Sequence, residues 1–272
     1  MNWKKSTING KSRYGIETVV IDISRRYNRI DKKQGMKREL HMKIRTISFV
    51  LVILLIGLPL TAQESEQTIE ELYLQSAIKT QIIKAEAASP DRDMKMIALT
   101  DIAQMVEDGS AADNPDVVRL LGDLGGEGVT NVVREQGHVL NDFPEVRREA
   151  ARILGELGTE EAARELNTML LTDPEPMVMS EAILAISNIE VEDKQSRNRS
   201  MAAAIYRQTA INKDNNFAYT FLQSIENVVR REGSISDPMV FEEIAKIADA
   251  RQGYNRVVRE RAFKLLRDLQ GM

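Results

Sequence analysis

The chain has 272 residues, of which 43% are apolar, 29% are charged and 5% are aromatic, a composition that excludes both a polytopic membrane protein and a disordered chain. The absence of cysteine excludes disulfides, thiolate metal sites, a cysteine nucleophile and lipid attachment through cysteine. Residues 1–62 carry 13 basic and 4 acidic side chains (net +9), whereas residues 63–272 carry 24 and 37 (net −13). Because phosphate contacts need a concentrated basic face, this acidic body argues against nucleic-acid binding.

Residues 42–62 form a targeting segment. Lys43 and Arg45 supply a positively charged start. An apolar core of 14 residues follows, from Ile47 to Leu60, and the small residue Ala62 ends the segment. The core is shorter than the roughly 20 residues that a membrane-spanning helix needs. The pattern therefore predicts a secretory signal peptide that is cleaved after Ala62, and a periplasmic or secreted mature protein.

Residues 1–41 are polar and rich in Lys and Arg, and two interpretations of them stay open. In the first, translation starts at Met36 or Met42, and residues 1–41 are a wrongly assigned or disordered basic extension. In the second, they are a cytoplasmic tail before an uncleaved anchor, which would hold the protein on the membrane facing the periplasm. Both satisfy the positive-inside rule. The chemistry of the cleavage site favours the first.

The remaining chain is predicted to be helical throughout. Apolar residues recur at three- and four-residue steps, and no run alternates strictly as a half-buried strand would. Residues 63–89 are predicted to form an N-terminal capping helix. Its apolar residues are Ile69, Leu72, Tyr73, Leu74, Ile78, Ile82 and Ile83.

The clearest helix is predicted over Pro144–Leu157, with Asp142 as its cap and Gly158 as its end. One apolar stripe lies at offsets 0, 4, 7, 8 and 11 and consists of Val146, Ala150, Ile153, Leu154 and Leu157. Thr159 then begins a second helix, whose stripe consists of Ala162, Leu166, Met169 and Leu170. Two such helices, each with one apolar face, form one unit.

This unit recurs along the chain. The same five offsets return at Val258, Ala262, Leu265, Leu266 and Leu269, and four of them return at Met94, Ala98, Ile102 and Met105 and at Ala218, Leu222, Ile225 and Val229. Units are predicted to start near Asp91, Asp142, Asp173, Asp214 and Tyr254, which are 51, 31, 41 and 40 residues apart. Helical-hairpin repeats have periods of about 30 to 47 residues, and stacking such units buries stripes that one pair cannot bury alone.

The pattern Asp-x-Pro-x-Val-Arg-x-x-Ala-Ala-x-x-Leu-Gly-x-Leu-Gly in residues 142–158 resembles the signature of HEAT repeats, in particular the short HEAT-like repeats of phycobilisome lyases. Residues 114–125 resemble a degenerate copy that lacks four residues of the usual first helix. The resemblance implies an all-α fold, an α-solenoid over residues 90–272, with first helices on the convex face and second helices on the concave face. It does not imply lyase activity, since no bilin-handling residues are recognisable.

Two sets of polar residues are candidates for a role. Arg147 and Arg259 occupy the same place in two units, and we expect each to contact an acidic group of a neighbouring unit and hold the stacking register, for which Arg is better suited than Lys; a ligand role is the alternative. The second set lies on second helices and would form a polar stripe for protein binding, with simple solvation as the alternative. It consists of Arg164, Asn167, Arg199 and Arg207.

The sequence contains only weak motifs for metal binding, phosphate binding or catalysis. His138, with Glu135 and Asp142 nearby in the chain, is the one candidate metal ligand, but a surface histidine explains it better. The glycines between residues 122 and 128 follow no predicted strand and precede no Gly-Lys-Ser/Thr ending, so they indicate a flexible break between helices. No serine lies in a Gly-x-Ser-x-Gly motif. We therefore predict no catalytic, cofactor-binding or metal-binding residue, and a protein that is not an enzyme.

Two classes of function remain. The first is an exported, noncatalytic scaffold that mediates protein–protein interaction in the bacterial envelope, with a protein or peptide as its partner. The second is a lyase-like or enzyme-accessory protein that acts on a small molecule, which would need a deep polar pocket with convergent titratable groups. A membrane is a partner only if the signal segment stays uncleaved. Neither the partner's identity nor the oligomeric state follows from the sequence.

Overall fold

The computed structural model describes residues 69–111 and 114–271. The predicted basic extension (1–41) and signal segment (42–62) lie outside the described residues, so both stay predictions. The chain divides into two units, Met1–Glu86 and Ala87–Met272. Helix α1 (Ile69–Ala87) lies almost wholly in the first unit, within the segment predicted to form a capping helix. None of the helices in the described residues is both long enough and apolar enough to cross a membrane.

Helices make up most of the second unit. Its described α-helices are α2 (Arg92–Glu107), α3 (Pro115–Gly125), α4 (Pro144–Leu157), α5 (Glu160–Thr172), α6 (Pro176–Asn188), α7 (Lys194–Ile211), α8 (Asn215–Glu232), α9 (Pro238–Ala248) and α10 (Arg256–Gln270). A two-stranded hairpin, β1 (Arg134–Glu135) and β2 (His138–Val139), lies between α3 and α4, and a 3-10 turn (Ala250–Gln252) follows α9.

The ends of the helices follow local side-chain chemistry. The hydroxyl of Thr159 accepts a hydrogen bond from the Ala162 amide and so caps α5. Gly158 ends α4 in the left-handed conformation, at φ 68°, which glycine adopts without steric cost. The prediction for the start of α4 is wrong, because Phe143 is its N-cap and makes no side-chain cap bond. The carboxylate of Asp142 binds Arg147 instead.

The helices pack in two rows. In the first row each helix contacts the next, in the order α2, α4, α6, α8 and α10; in the second row the order is α3, α5, α7 and α9. The predicted unit starts each lie one to three residues before a first-row helix. Because every helix has one apolar stripe, stacking in this way joins the stripes into one elongated core. The prediction of an all-α solenoid is confirmed.

The predicted stripes form that core. In α4, Val146, Ala150, Ile153 and Leu154 are completely buried, and Leu157 is half-buried. In α10, the stripe is buried at Val258, Ala262 and Leu265, but Leu266 and Leu269 stay half-buried. The last helix is thus less covered than α4, although the two have the same pattern.

Residues 114–125 are not a shortened first helix. They contain α3, a complete second-row helix that contacts α5. Asn114 caps α3 and Pro115 occupies its first turn, and this start suits helices of either row equally well. The prediction of a degenerate copy is therefore wrong.

The glycine-rich run is not simply a break, because its first half is helical. Gly122 and Gly125 lie in α3 and face α5. A Cβ atom at Gly122 would lie 2.7 Å from Glu165 Oε2, and one at Gly125 would lie 2.7 Å from Met169 Sδ. These glycines therefore allow α3 to approach α5 closely.

The short hairpin was not predicted from the sequence. Its strands pair antiparallel, with Glu135 opposite His138, around a turn in which Gln136 and Gly137 both have positive φ. Each strand has two residues, which is too short to show the alternation that identifies a strand.

Candidate protein-interaction surface

Arg147 of α4 is the centre of a buried ionic network. Its side chain is completely buried, and its Nε donates to Asp173 Oδ2 at 2.6 Å while one terminal nitrogen donates to Asp142 Oδ1 at 2.6 Å. The same nitrogen also donates to the Glu127 carbonyl at 3.1 Å. Burial by itself lowers the pKa of Arg147, but the hydrogen bonds to the two aspartates raise it above its ordinary value, so the group stays charged. Since Asp173 lies just before α6, the network joins two consecutive pairs.

Arg259 occupies the corresponding place in α10 but does not have the acidic contact that the sequence predicts. Its Nε is buried and has no hydrogen-bond partner within the described part of the chain. The reason is positional. In the network of Arg147 the buried aspartate precedes the next first-row helix, and no such helix follows α10 among the described residues.

Other arginines join the later pairs. Arg197 of α7 is buried and makes a bidentate pair with Glu232 of α8, at 2.7 and 3.0 Å. Its hydrogen bonds lower the pKa of Glu232 to about 2. Arg261 of α10 pairs with Glu226 of α8 at 2.6 Å. Sequence reasoning missed both, because neither arginine lies at the Val-Arg position of the repeat signature.

Arg207, a predicted binding residue, lies against the C-terminal end of α5. Its guanidinium donates to the carbonyl of Leu171, to the carbonyl of Leu170 at 3.2 Å and to the carbonyl of Asp173 at 2.8 Å. The last carbonyls of a helix have no partner within the helix and carry its partial negative charge. These contacts support a structural role for Arg207, which holds α7 against α5.

Arg164 and Asn167 of α5 lie together in a groove between α5 and α7. The side chain of Arg164 is 63% exposed and pairs with Glu161 on its own helix. Oδ1 of Asn167 is buried without a hydrogen-bond partner among the described residues. The groove has a volume of about 420 Å³. It is lined by Glu160, Arg164, Asn167, Thr168, Asp193 and Arg197, among others.

Arg199 of α7 lies in an adjacent groove of about 380 Å³. Its side chain is 59% exposed and lies 3.6 Å from Asp237, beyond hydrogen-bonding distance. The partly exposed apolar side chains of Leu171 and Met239 line the same groove. Asp193 and Ser196 line both grooves. The two grooves are therefore adjacent, and we call them together the second-row surface.

The candidate for metal binding does not form a cluster. His138 is exposed and faces Glu135 across the hairpin, while the third residue, Asp142, is bound to Arg147. No group of three or more His, Asp or Glu residues that could hold a metal ion occurs among the described residues.

The two rows of paired helices define the chain as an α-solenoid. Within it, a family model described as HEAT repeats matches residues 137–203, which include α4, α5, α6 and the first part of α7. Residues 137–203 therefore match HEAT repeats, as the sequence resemblance predicted. The match does not confirm the finer resemblance to the HEAT-like repeats of phycobilisome lyases. No curated protein and no solved structure matched the chain significantly.

Proposed function

We propose that this protein is a noncatalytic scaffold that binds a protein or peptide through the second-row surface. HEAT repeats commonly mediate protein–protein interaction, and stacked repeats offer extended surfaces for that purpose. The observation that carries the proposal is the pair of adjacent grooves, one with the exposed Arg164 and the other with the exposed Arg199 beside the partly exposed Leu171 and Met239.

The chemistry of the surface favours a partner with carboxylates and apolar side chains. The pair of Arg164 with Glu161 is exposed on both sides, and such pairs contribute about 0–1 kcal/mol to stability, so exchanging Glu161 for a carboxylate of a partner costs little. Arg199 lies 3.6 Å from Asp237, whose side chain is 5% exposed, and a partner's carboxylate would bind the exposed side of the Arg199 guanidinium. Asn167 lines the first groove, but its Oδ1 is buried, so the contacts open to a partner are those of the two arginines and the partly exposed apolar side chains.

Reversing both exposed charges with Arg164→Glu and Arg199→Glu is expected to reduce recovery of the partner about ten-fold or more, as loss of charge complementarity weakens an interface. The comparison is a quantitative cross-linking pull-down from the cell envelope, with circular dichroism and thermal unfolding measured in parallel. Helicity should hardly change, and Arg164→Glu should shift the free energy of unfolding by about 0.5 kcal/mol or less. Arg199→Glu brings a second negative charge close to the buried Asp237 and should lower stability, which the thermal unfolding measures.

The matched control is Arg134→Glu with Arg230→Glu, which makes the same charge change at two exposed positions that do not line the grooves. This control should recover the partner as the wild type does. Equal recovery of the partner by the wild type and by the Arg164/Arg199 double variant would contradict the proposal that the partner binds through the second-row surface. Arg207 is left out of the test because its reversal would disturb the contact between α7 and α5.

Export to the bacterial envelope is a second part of the proposal, and the segment 42–62 supports it. We expect the mature chain to begin near Gln63 and to reside in the periplasm or outside the cell, with an envelope-anchored form as the alternative. N-terminal sequencing of protein recovered from the envelope fraction measures this directly. An intact segment 1–41 on that material would overturn both the later translation start and the cleavage.

The alternative of a lyase-like or enzyme-accessory protein needs a deep pocket with convergent titratable groups. No feature of the described residues favours it over the scaffold.

A further inference from the structure

The last described helix, α10, has a face that is covered in the other first-row helices. The shared stripe aligns Arg259, Phe263 and Leu266 of α10 with Arg147, Ala151 and Leu154 of α4. The three residues in α4 are completely buried. In α10, Phe263 is 56% exposed, and both Arg259 and Leu266 are half-buried.

The difference follows from the order of the helices. Helix α4 contacts α2 and α3, which precede it, and also α5 and α6, which follow it. Helix α10 contacts α8 and α9, which precede it, and no later helix occurs among the described residues. The uncovered face of α10 therefore corresponds to the face of α4 that the following helices bury.

A groove of about 750 Å³ lies along this face, between α9 and α10. Ala245 and Ala248 line it from α9, and Arg259, Phe263 and Leu266 line it from α10. In the complete pairs, a second-row helix packs between its own first helix and the previous second-row helix: α5 contacts α4 and α3, and α7 contacts α6 and α5. A groove formed by α10 and α9 is thus the place where the second helix of the last pair would lie.

The charges in the groove indicate what kind of helix fits. Two basic side chains, Arg256 and Arg259, and two acidic side chains, Asp249 and Glu260, line the groove. The two carboxylates that line the groove, Asp249 and Glu260, are already paired with Arg251 and Arg256. Within the described chain Arg259 has no hydrogen-bond partner at Nε, whereas Arg147 at the same repeat position binds two aspartates.

A second copy of α10 fits the groove poorly. In a two-fold dimer the same patch meets itself, so a second copy would bring another Arg259 to the groove and no carboxylate that is not already paired with an arginine. Like charges that face each other across an interface are unfavourable. An acidic helix with small and medium apolar side chains complements both the charge and the exposed Phe263 and half-buried Leu266.

We propose that the groove between α9 and α10 binds an acidic amphipathic α-helix of a partner polypeptide, which lies where the second helix of a complete pair lies. The apolar stripe of this helix covers Phe263 and Leu266, and one of its carboxylates accepts a hydrogen bond from Arg259. The site is separate from the second-row surface, and the proposal does not depend on that surface binding anything.

The test is a selection from a displayed library of helices about 18 residues long, or five turns, with Leu and Ala on one stripe and Glu, Gln and Lys randomised elsewhere. The purified protein is the target, and the selected helices are then made as labelled peptides for titration. Enrichment of helices with net negative charge is expected, and their dissociation constants should rise about ten-fold or more for Arg259→Gln and for Phe263→Asp. The Arg259→Gln variant should keep its thermal stability, because the Nε it removes has no partner to lose among the described residues.

A matched variant distinguishes this groove from the second-row surface. The Arg164→Glu/Arg199→Glu variant should bind the selected helices as the wild type does, so that failure of one site leaves the other intact. Enrichment of neutral or basic helices, or binding that survives both groove substitutions, would overturn the proposal. A dimer in sedimentation experiments that Phe263→Asp dissociates would overturn it in favour of a second copy.

Discussion

Replacing Arg147 with alanine is expected to lower the free energy of unfolding by about 3–5 kcal/mol, the cost of removing one partner from a buried ion pair. The substitution leaves Asp173, whose side chain is 1% exposed, as a buried charge without its main counter-ion. It also removes a hydrogen bond to the Glu127 carbonyl. Chemical denaturation followed by circular dichroism at neutral pH measures the loss.

The matched control is Arg259→Ala, which makes the same change at the same repeat position. Arg259 has no hydrogen-bond partner at Nε within the described residues, so its replacement should cost about 1 kcal/mol or less. Equal losses for the two variants would show that the network of Arg147 does not hold consecutive pairs together. A larger loss of unfolding free energy for Arg259→Ala would contradict the conclusion that no described helix covers this face of α10.

Replacing Leu154 with alanine is expected to cost about 2–5 kcal/mol, because it leaves a cavity among stacked helices. Leu154 is completely buried in α4, which contacts helices of both rows. Denaturant titration with fitted slopes is the appropriate measurement. Because each pair contacts only its neighbours, the change in slope will also report whether unfolding stays two-state.

Two substitutions serve as controls for Leu154→Ala. Leu266 has the same position in α10 but is half-buried, so Leu266→Ala should cost clearly less. His138→Ala changes an exposed residue in the hairpin and should cost about 0.5 kcal/mol or less. If His138→Ala proved more damaging than Leu154→Ala, the phasing of the repeat would be wrong.

The sequence predicts which polar residues of the candidate site lie off the apolar stripes, but not which groups each of them contacts. Arg164 and Arg207 both look like exposed arginines on second helices, since both lie off the apolar stripes. The structure places Arg164 in an open groove and Arg207 on the carbonyl groups at the end of α5. Those carbonyls belong to residues 34 to 37 positions earlier in the chain, and no periodic pattern identifies such a partner.

The sequence also did not show to which row α3 belongs. Helix α3 begins with Asn114 and Pro115, a start that suits any helix, and its position in the second row depends on contact with α5. The close approach of α3 to α5 at Gly122 and Gly125 also depends on how these two helices stack. In isolation, glycines near a helix end indicate a stop as readily as a close contact.

The sequence by itself determined the all-α repeat, because stripes at three- and four-residue steps and capping residues act between neighbours in the chain. It also located the buried faces of α4 and α5. Only the tertiary structure decided which arginines are enclosed, since Arg147 meets Asp173 across 26 residues and Arg197 meets Glu232 across 35. Such pairs depend on how whole helices stack, and so does the groove beside Phe263, which exists because no described helix covers α10.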